Sequence, residues 1–197
     1  MLCRCGHGDL AHTSTRRCVL CDCVRFVDPQ APKPVSVQGR RAWLVRADPE
    51  IRPYIWPRGV IGVSWDIQIE VPAVMDEQEM FEFFRSQRNI SHEPDGRLRV
   101  TSREMFAFIY DIGVGDYILT PMDSKILIGQ ILGAYDFRPG LLPSRSNPVG
   151  HAHTRAVRWL QEVARHDFSN SAQQTLKFRQ TIREASSYLR EILELTG

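Results

Sequence analysis

The chain has 197 residues, of which 43% are hydrophobic and 24% charged, and its formal net charge is +2 at pH 7. These values are typical of a water-soluble globular protein, and the length fits one ordinary domain plus a small appendage. No apolar run approaches the roughly 20 residues of a transmembrane helix, and the polar, cysteine-rich N-terminus is unlike a signal peptide. We therefore expect a cytoplasmic protein without a membrane partner.

Arginine dominates the basic residues, with 22 Arg against 3 Lys. Its planar guanidinium fork suits phosphates and guanine edges, so the bias favours contact with nucleic acid. A GC-rich genome, which favours arginine codons, explains the same bias equally well.

All five cysteines lie in the first 23 residues, together with two of the six histidines. Disulfides need an oxidising compartment, and a redox Cys-x-x-Cys pair needs a thioredoxin-like unit that is not recognisable here. About 25 residues cannot form a hydrophobic core, so a structural zinc ion is expected to organise the segment. The expected ligands are Cys5, His12, Cys18 and Cys21, and the alternatives are Cys3, His7 and Cys23.

The pattern C-x-C-G-H-x4-H-x5-C-x2-C-x-C-x2-F over residues 3–26 resembles small zinc modules at the ends of many actinobacterial proteins. We predict a zinc-binding module over residues 1–27 and a proline-rich linker over residues 28–39. Arg16, Arg17 and Arg25 are predicted to contact a nucleic-acid backbone, although a solvated surface explains them as well.

The second domain is predicted to span residues 40–197. Apolar runs predict strands over residues 41–47 and 59–65, separated by a proline-rich turn or short helix. A helix is predicted over residues 76–87, followed by a loop over residues 89–100. The Thr101-x-x-Glu104 capping-box pattern then predicts a helix over residues 101–112.

The rest of the chain predicts mainly strands. These cover residues 116–121, 125–137, 153–160 and 179–185, with a short helix over 170–177 and a closing amphipathic helix. His151, His153 and Arg155 are predicted to lie with Arg145 in a solvated loop, where they could also contact phosphate. Strands outnumber helices, which favours an α+β or barrel-like domain. No GxGxxG, P-loop, GxSxG or nuclease motif is recognisable, so we do not expect an enzyme.

The order of several motifs resembles an EVE-type PUA-like domain, of the kind found at the N-terminus of Mrr-type restriction endonucleases and related to YTH readers of methylated adenine. The matching segments are "WLVRADPE", "GVIGVSWD", "IGVGDYILTP", "KILIGQILGAYDF" and "HTRAVRWLQEV". The resemblance covers about residues 40–195. It implies a small mixed β-barrel flanked by helices, and a pocket for a modified base flipped out of its helix.

The resemblance places this pocket at the ends of the first two strands and at the turn after "YILTP". The implied pocket residues are Arg46, Ala47, Asp48, Trp65, Asp66, Thr120, Pro121 and Met122. Trp65 is the candidate for stacking on the base, and Asp48 or Asp66 for accepting a hydrogen bond from an exocyclic amine. Arg145 is a candidate for contact with the nucleic-acid backbone. Relatives often have Ser where this chain has Ala47, which removes one edge contact.

We therefore expect a reader of methylated or hydroxymethylated cytosine, or of methyladenine, in double-stranded DNA. Such a reader would serve a restriction or defence system, and a separate nuclease would perform any cleavage. An RNA-binding PUA-like module and a zinc-stabilised protein–protein adaptor are the alternative functions.

Overall fold

The computed structural model describes residues 39–87, 90–145, 147–177 and 179–197. The predicted zinc ligands Cys5, His12, Cys18 and Cys21 lie outside these residues, as do Arg16, Arg17 and Arg25 and all of the linker except Gly39. Within the described ranges, no helix combines the length and apolar character needed to cross a membrane.

The described residues form six strands and five α-helices. The strands are β1 (Ala42–Val45), β2 (Val60–Val63), β3 (Tyr117–Met122), β4 (Lys125–Phe137), β5 (His153–Ala164) and β6 (Ile182–Glu184). The helices are α1 (Arg52–Arg58), α2 (Glu77–Ser86), α3 (Asp95–Phe106), α4 (Asn170–Thr175) and α5 (Leu189–Thr196). The mixed α+β class and all six predicted strands are confirmed.

The strands form one sheet in the order β2-β5-β4-β3-β1-β6. β1 and β3 are parallel, and the other neighbours are antiparallel. The prediction of a closed barrel is wrong, because β2 and β6 remain edge strands in the described part of the chain. The sheet nevertheless curves, since the segments that follow β1 and β2 line one cavity although three strands lie between β2 and β1 in the sheet.

Both faces of the central strands are buried. Successive side chains of a strand point to opposite faces, and β1 divides its four apolar residues accordingly. Trp43 and Val45 join the larger core with α1, α2 and α3, whereas Ala42 and Leu44 join a second core with α4 and α5. Packing on both faces therefore fixes the position of β1 and of the residue at which it ends.

The helices explain two errors of the sequence analysis. α3 begins at Asp95, inside the predicted loop, and Thr101 lies within it and donates to the carbonyl of Arg97. The capping box predicted at Thr101 and Glu104 is therefore wrong. The same type of motif operates at α2, where Asp76 and Glu79 accept from each other's backbone N–H groups at 2.8 and 2.7 Å.

The predicted solvated loop around His151 and His153 is also wrong. His151 is 6% exposed, His153 0% and Arg155 3%. Arg155 donates to the carbonyls of Phe108 and Gly133 at 2.9 and 3.1 Å, and burial lowers its pKa to about 10. Phe108 belongs to a π-helical turn, Ala107–Asp111, whose altered hydrogen-bond register leaves carbonyls that Arg155 can satisfy.

The segment between β4 and β5 folds back on β2 because two glycines permit close approach. A Cβ at Gly62 would lie 2.5 Å from the Cδ1 of Leu142 and 3.0 Å from the carbonyl oxygen of His151. Gly150 has φ +70°, and a Cβ there would lie 2.1 Å from the carbonyl oxygen of Leu142. This approach brings His151 beside β2.

Gly150→Ala should therefore destabilise the protein much more than Gly140→Ala. Both glycines have positive φ, +70° and +76°, but nothing lies within 4 Å of a Cβ at Gly140. Gly140→Ala should cost about 1 kcal/mol of unfolding free energy from backbone strain, and Gly150→Ala about 3 kcal/mol or more because a clash is added. Urea denaturation monitored by circular dichroism measures both, and equal losses would contradict this packing.

Candidate functional site

A cavity of about 400 Å³ lies between the ends of β1 and β2. Its lining comprises Arg46, Ala47, Asp48, Pro49, Arg52, Gly62, Val63, Ser64, Trp65, His151 and Thr181. Asp48 and Pro49 are exposed and Ala47 and Val63 are buried, so the cavity runs from the surface to the core. Its volume lies in the range of roughly 300–1,000 Å³ that holds small ligands.

The indole that borders this cavity is carried by a strained turn. The N–H of Ile67 donates to the carbonyl of Ser64 at 2.9 Å, which closes a tight turn directly after β2. The two central residues, Trp65 and Asp66, have φ values of +41° and +59°. Asn and Gly usually occupy such positions, and a bulky side chain with positive φ costs on the order of 1–3 kcal/mol. Other contacts must therefore hold the turn.

One buried group beside the turn is Glu104, whose carboxyl interacts with the side chain of Trp65. Glu104 is 7% exposed and accepts from the backbone N–H of Thr181 at 2.9 Å. Burial is the largest effect on this carboxyl and raises its pKa, while interactions with Thr181, Ile182 and Trp65 oppose the rise. Glu104 thus links α3 to the segment before β6, beside the side chain of Trp65.

The second contact fixes the end of the turn. His153 is fully buried, and its Nε2 lies 3.1 Å from the carbonyl oxygen of Ile67, while its Nδ1 lies 2.9 Å from the hydroxyl of Tyr135. Burial lowers the pKa of His153 to about 4, so the ring is neutral at pH 7. A neutral ring has one N–H, and Nε2–H donating to Ile67 leaves Nδ1 to accept from Tyr135.

Asp48 and His151 form another wall of the cavity, and Glu50 is hydrogen-bonded to both without being part of the lining. The Oε1 of Glu50 lies 3.2 Å from the Nε2 of His151, and its Oε2 accepts from the backbone N–H of Arg145 at 3.0 Å. A hydrogen bond with the Ser144 side chain is the main cause of the lowered pKa of Glu50. Asp48 completes the group, and the nearest ligand atoms of Asp48, Glu50 and His151 all lie within 4.8 Å of one another.

An imidazole and two carboxylates can in principle bind a divalent cation. Arg46 and Arg52 line the same cavity, however, and their positive charges oppose a cation there. Both carboxylates already accept from backbone N–H groups, Asp48 from that of Glu50 and Glu50 from that of Arg145. We therefore interpret this wall as a set of hydrogen-bonding groups that faces the cavity.

The structure brings four of the eight predicted pocket residues to the cavity: Arg46, Ala47, Asp48 and Trp65. Asp66 is exposed in the same turn but is not part of the lining. Thr120, Pro121 and Met122 lie on β3, with Thr120 and Pro121 buried, and do not line the cavity either. Arg145 is exposed in the segment between β4 and β5. The roles predicted for these residues stay predictions.

Sequence reasoning did not assign Glu104, His151 or Thr181 to the site. Glu104 was hidden by an apparent capping motif, and His151 by the polar, proline-containing sequence around it. Thr181 precedes β6, and nothing in a single sequence indicates that this segment reaches the cavity. The only available signal was a glutamate among apolar helix residues, since buried carboxylates need specific partners.

The chain belongs to the family described as domain of unknown function (DUF8426), whose model matches residues 41–185. No curated protein gives a significant match. Among solved structures, the chain is similar to the YTH domain of the Zygosaccharomyces rouxii MRB1 protein in complex with N6-methyladenosine RNA. The identity is 14%, the TM-score is 0.42, and the match covers 84% of this chain and 89% of that chain.

The raised pKa of Glu104 predicts a pH-dependent difference between the wild-type protein and Glu104→Gln. A carboxyl whose folded-state pKa is raised binds more protons in the folded than in the unfolded state, so its contribution to stability is lost as pH rises. The unfolding free energy of the wild type, relative to Glu104→Gln, should be highest below pH 4.5 and fall as pH rises through the raised pKa. Urea titrations from pH 4 to 8 measure it, and a constant difference would contradict the assignment.

Proposed function

We propose that this member of the DUF8426 family reads a modified nucleobase in nucleic acid by enclosing the flipped base in the cavity beside Trp65. The observation that carries the proposal is the strained turn, which places Trp65 in the cavity lining and whose last residue, Ile67, is contacted by the buried His153. Local strain of this kind is retained where a side chain must be presented to a ligand.

The cavity has the chemistry that such reading needs. A modified base differs from the unmodified one by a few atoms, so discrimination requires that its faces be stacked and its edge be hydrogen-bonded. Trp65 offers a face for stacking, which is worth roughly 1–3 kcal/mol per base. Asp48 and His151 offer polar atoms for an edge, and Ala47 and Val63 offer apolar contact for a methyl group.

The proposed substrate is double-stranded DNA that carries a methylated or hydroxymethylated cytosine, or methyladenine. The sequence resemblance to EVE-type domains of Mrr-type restriction endonucleases favours DNA, and the arginine-rich composition suits a phosphate backbone. The proposed role is recognition in a restriction or defence system, with a separate nuclease for any cleavage.

Trp65→Ala should abolish selective binding of a modified duplex. Loss of stacking should weaken binding by about 5- to 150-fold. The matched control is Tyr54→Ala, because Tyr54 is an aromatic residue that is 40% exposed but does not line the cavity.

Fluorescence anisotropy of otherwise identical oligonucleotides measures the effect. The panel carries cytosine, 5-methylcytosine, 5-hydroxymethylcytosine, adenine or N6-methyladenine, each in duplex DNA and in RNA. Selectivity for one modified duplex that Trp65→Ala removes supports the proposal. Selectivity for modified RNA alone would reassign the polymer, and equal binding of all oligonucleotides would refute base reading.

We further propose that the N-terminal segment binds one structural zinc ion through Cys5, His12, Cys18 and Cys21. Thiolate and imidazole ligands in this spacing suit a closed tetrahedral site, in which zinc supplies folding energy and no open coordination position.

Elemental analysis of the purified chain should therefore give about one zinc per molecule. Cys18→Ser should lose most of this zinc, because one thiolate ligand is removed. The far-ultraviolet circular dichroism of the full chain should change little, because residues 40–197 dominate the spectrum. Ser14→Ala is the matched control, since Ser14 lies in the same segment without being a candidate ligand. A zinc-free wild-type protein would contradict the assignment.

A further inference from the structure

We propose that Arg46, Arg52 and Arg165, named here the arginine triad, bind a phosphate group at the mouth of the cavity. The inference deepens the proposed function and rests on it in one respect, that the phosphate belongs to the nucleotide whose base enters the cavity. The triad itself is argued from the contacts and charges of its three members.

The three guanidinium groups converge although they come from distant parts of the chain. Arg46 directly follows β1, Arg52 begins α1, and both line the cavity. Arg165 directly follows β5, and its Nη2 donates to the backbone carbonyl of Asp123 at 3.1 Å. The Nη1 of Arg52 lies 2.9 Å from the Oδ1 of the same Asp123. The β3–β4 turn at Asp123 therefore joins Arg165 to the cavity mouth.

The three guanidinium groups influence one another electrostatically. The pKa of Arg46 is lowered first by burial and then by the positive charges of Arg165 and Arg52. The side chain of Asp123 is 97% exposed, so solvent weakens its attraction for Arg52. Glu50 lies near Asp48 but outside the cavity lining, and it is engaged by His151 and the backbone N–H of Arg145. The lining itself carries two arginines and one carboxylate, Asp48, and a bound anion would offset its excess of positive charge.

The positions of the hydrogen-bond donors are also fixed. Arg46 is anchored by a 2.6 Å hydrogen bond from its Nη2 to the carbonyl of Leu176. The Nε of Arg52 lies 3.4 Å from the carbonyl of Ala47, and the Nε of Arg165 is buried without an acceptor among the described residues. A guanidinium has five N–H donors in a planar fork that matches phosphate oxygens. Several such forks held in place favour phosphate over a smaller or less charged anion.

The triad lies where a bound phosphate can belong to the nucleotide whose base enters the cavity. Arg46 and Arg52 lie in the same lining as Trp65, so a phosphate on the triad would be attached to a base that can reach the indole. Holding both ends of one nucleotide reduces the freedom that the base must lose on entering the cavity. The triad thus marks where the sugar–phosphate backbone passes, beside the β3–β4 turn.

Titration of the full chain with inorganic phosphate, followed by ¹H–¹⁵N nuclear magnetic resonance, tests the triad without any nucleobase. Phosphate should shift the resonances of the triad and of Asp123. Arg165→Gln and Arg52→Gln should each weaken binding by roughly tenfold or more, and Arg165→Lys should lose less because it keeps the charge. Arg85→Gln, which removes the same charge from α2, should bind phosphate like the wild type.

The triad proposal is overturned if phosphate shifts no resonance at these residues, or if Arg165→Gln and Arg85→Gln bind phosphate equally well. A second arm compares the preferred modified nucleoside with its 5′-monophosphate and with a trinucleotide that carries an internal phosphodiester. Tighter binding of either phosphate-containing ligand than of the nucleoside supports the triad and identifies the source of the phosphate.

The two arms separate this proposal from the proposed function. If the nucleoside binds in the cavity but neither phosphate-containing ligand binds more tightly, the triad proposal fails and base reading stands. If phosphate binds to the triad but no base perturbs Trp65, base reading fails and the triad stands as an anion site.

Discussion

The site depends on one strained turn, Ser64–Ile67, which forces a tryptophan into a backbone conformation that favours glycine or asparagine. The turn closes through the hydrogen bond from the N–H of Ile67 to the carbonyl of Ser64, and two buried groups lie beside it. The carboxyl of Glu104 interacts with the side chain of Trp65, and the Nε2 of His153 lies 3.1 Å from the carbonyl oxygen of Ile67. Each has a shifted pKa because it is buried. The strained turn thus lowers the stability of the fold and fixes the position of one aromatic ring.

The open sheet makes this position useful. In the described residues β2 and β6 are the edge strands, and the segments that follow β1 and β2 line one cavity. The cavity lining includes the indole of Trp65, the polar groups of Asp48 and His151, and two arginines, Arg46 and Arg52. In the proposed function, separate elements of one domain would supply stacking, edge recognition and phosphate attraction.

The sequence predicted the fold class and all six strands, because alternating or continuous apolar runs report burial directly. It also predicted that the ends of β1 and β2 meet, through the resemblance rather than through periodicity. It did not predict the open sheet, since strand order depends on pairings between distant segments. Glu104 was missed because the same residue pattern describes a helix cap and a buried carboxylate, and only tertiary contacts distinguish them.

The most direct test of base reading is the indole N–H signal of Trp65 during titration with the selected modified oligonucleotide. Trp43 and Trp159 serve as internal references, because their indole N–H groups donate to Asp116 and to the carbonyl of Ile55 at 2.9 Å. Base entry predicts a saturable shift of the Trp65 signal while those of Trp43 and Trp159 stay in place. Saturable binding that leaves the Trp65 signal unchanged would contradict the account.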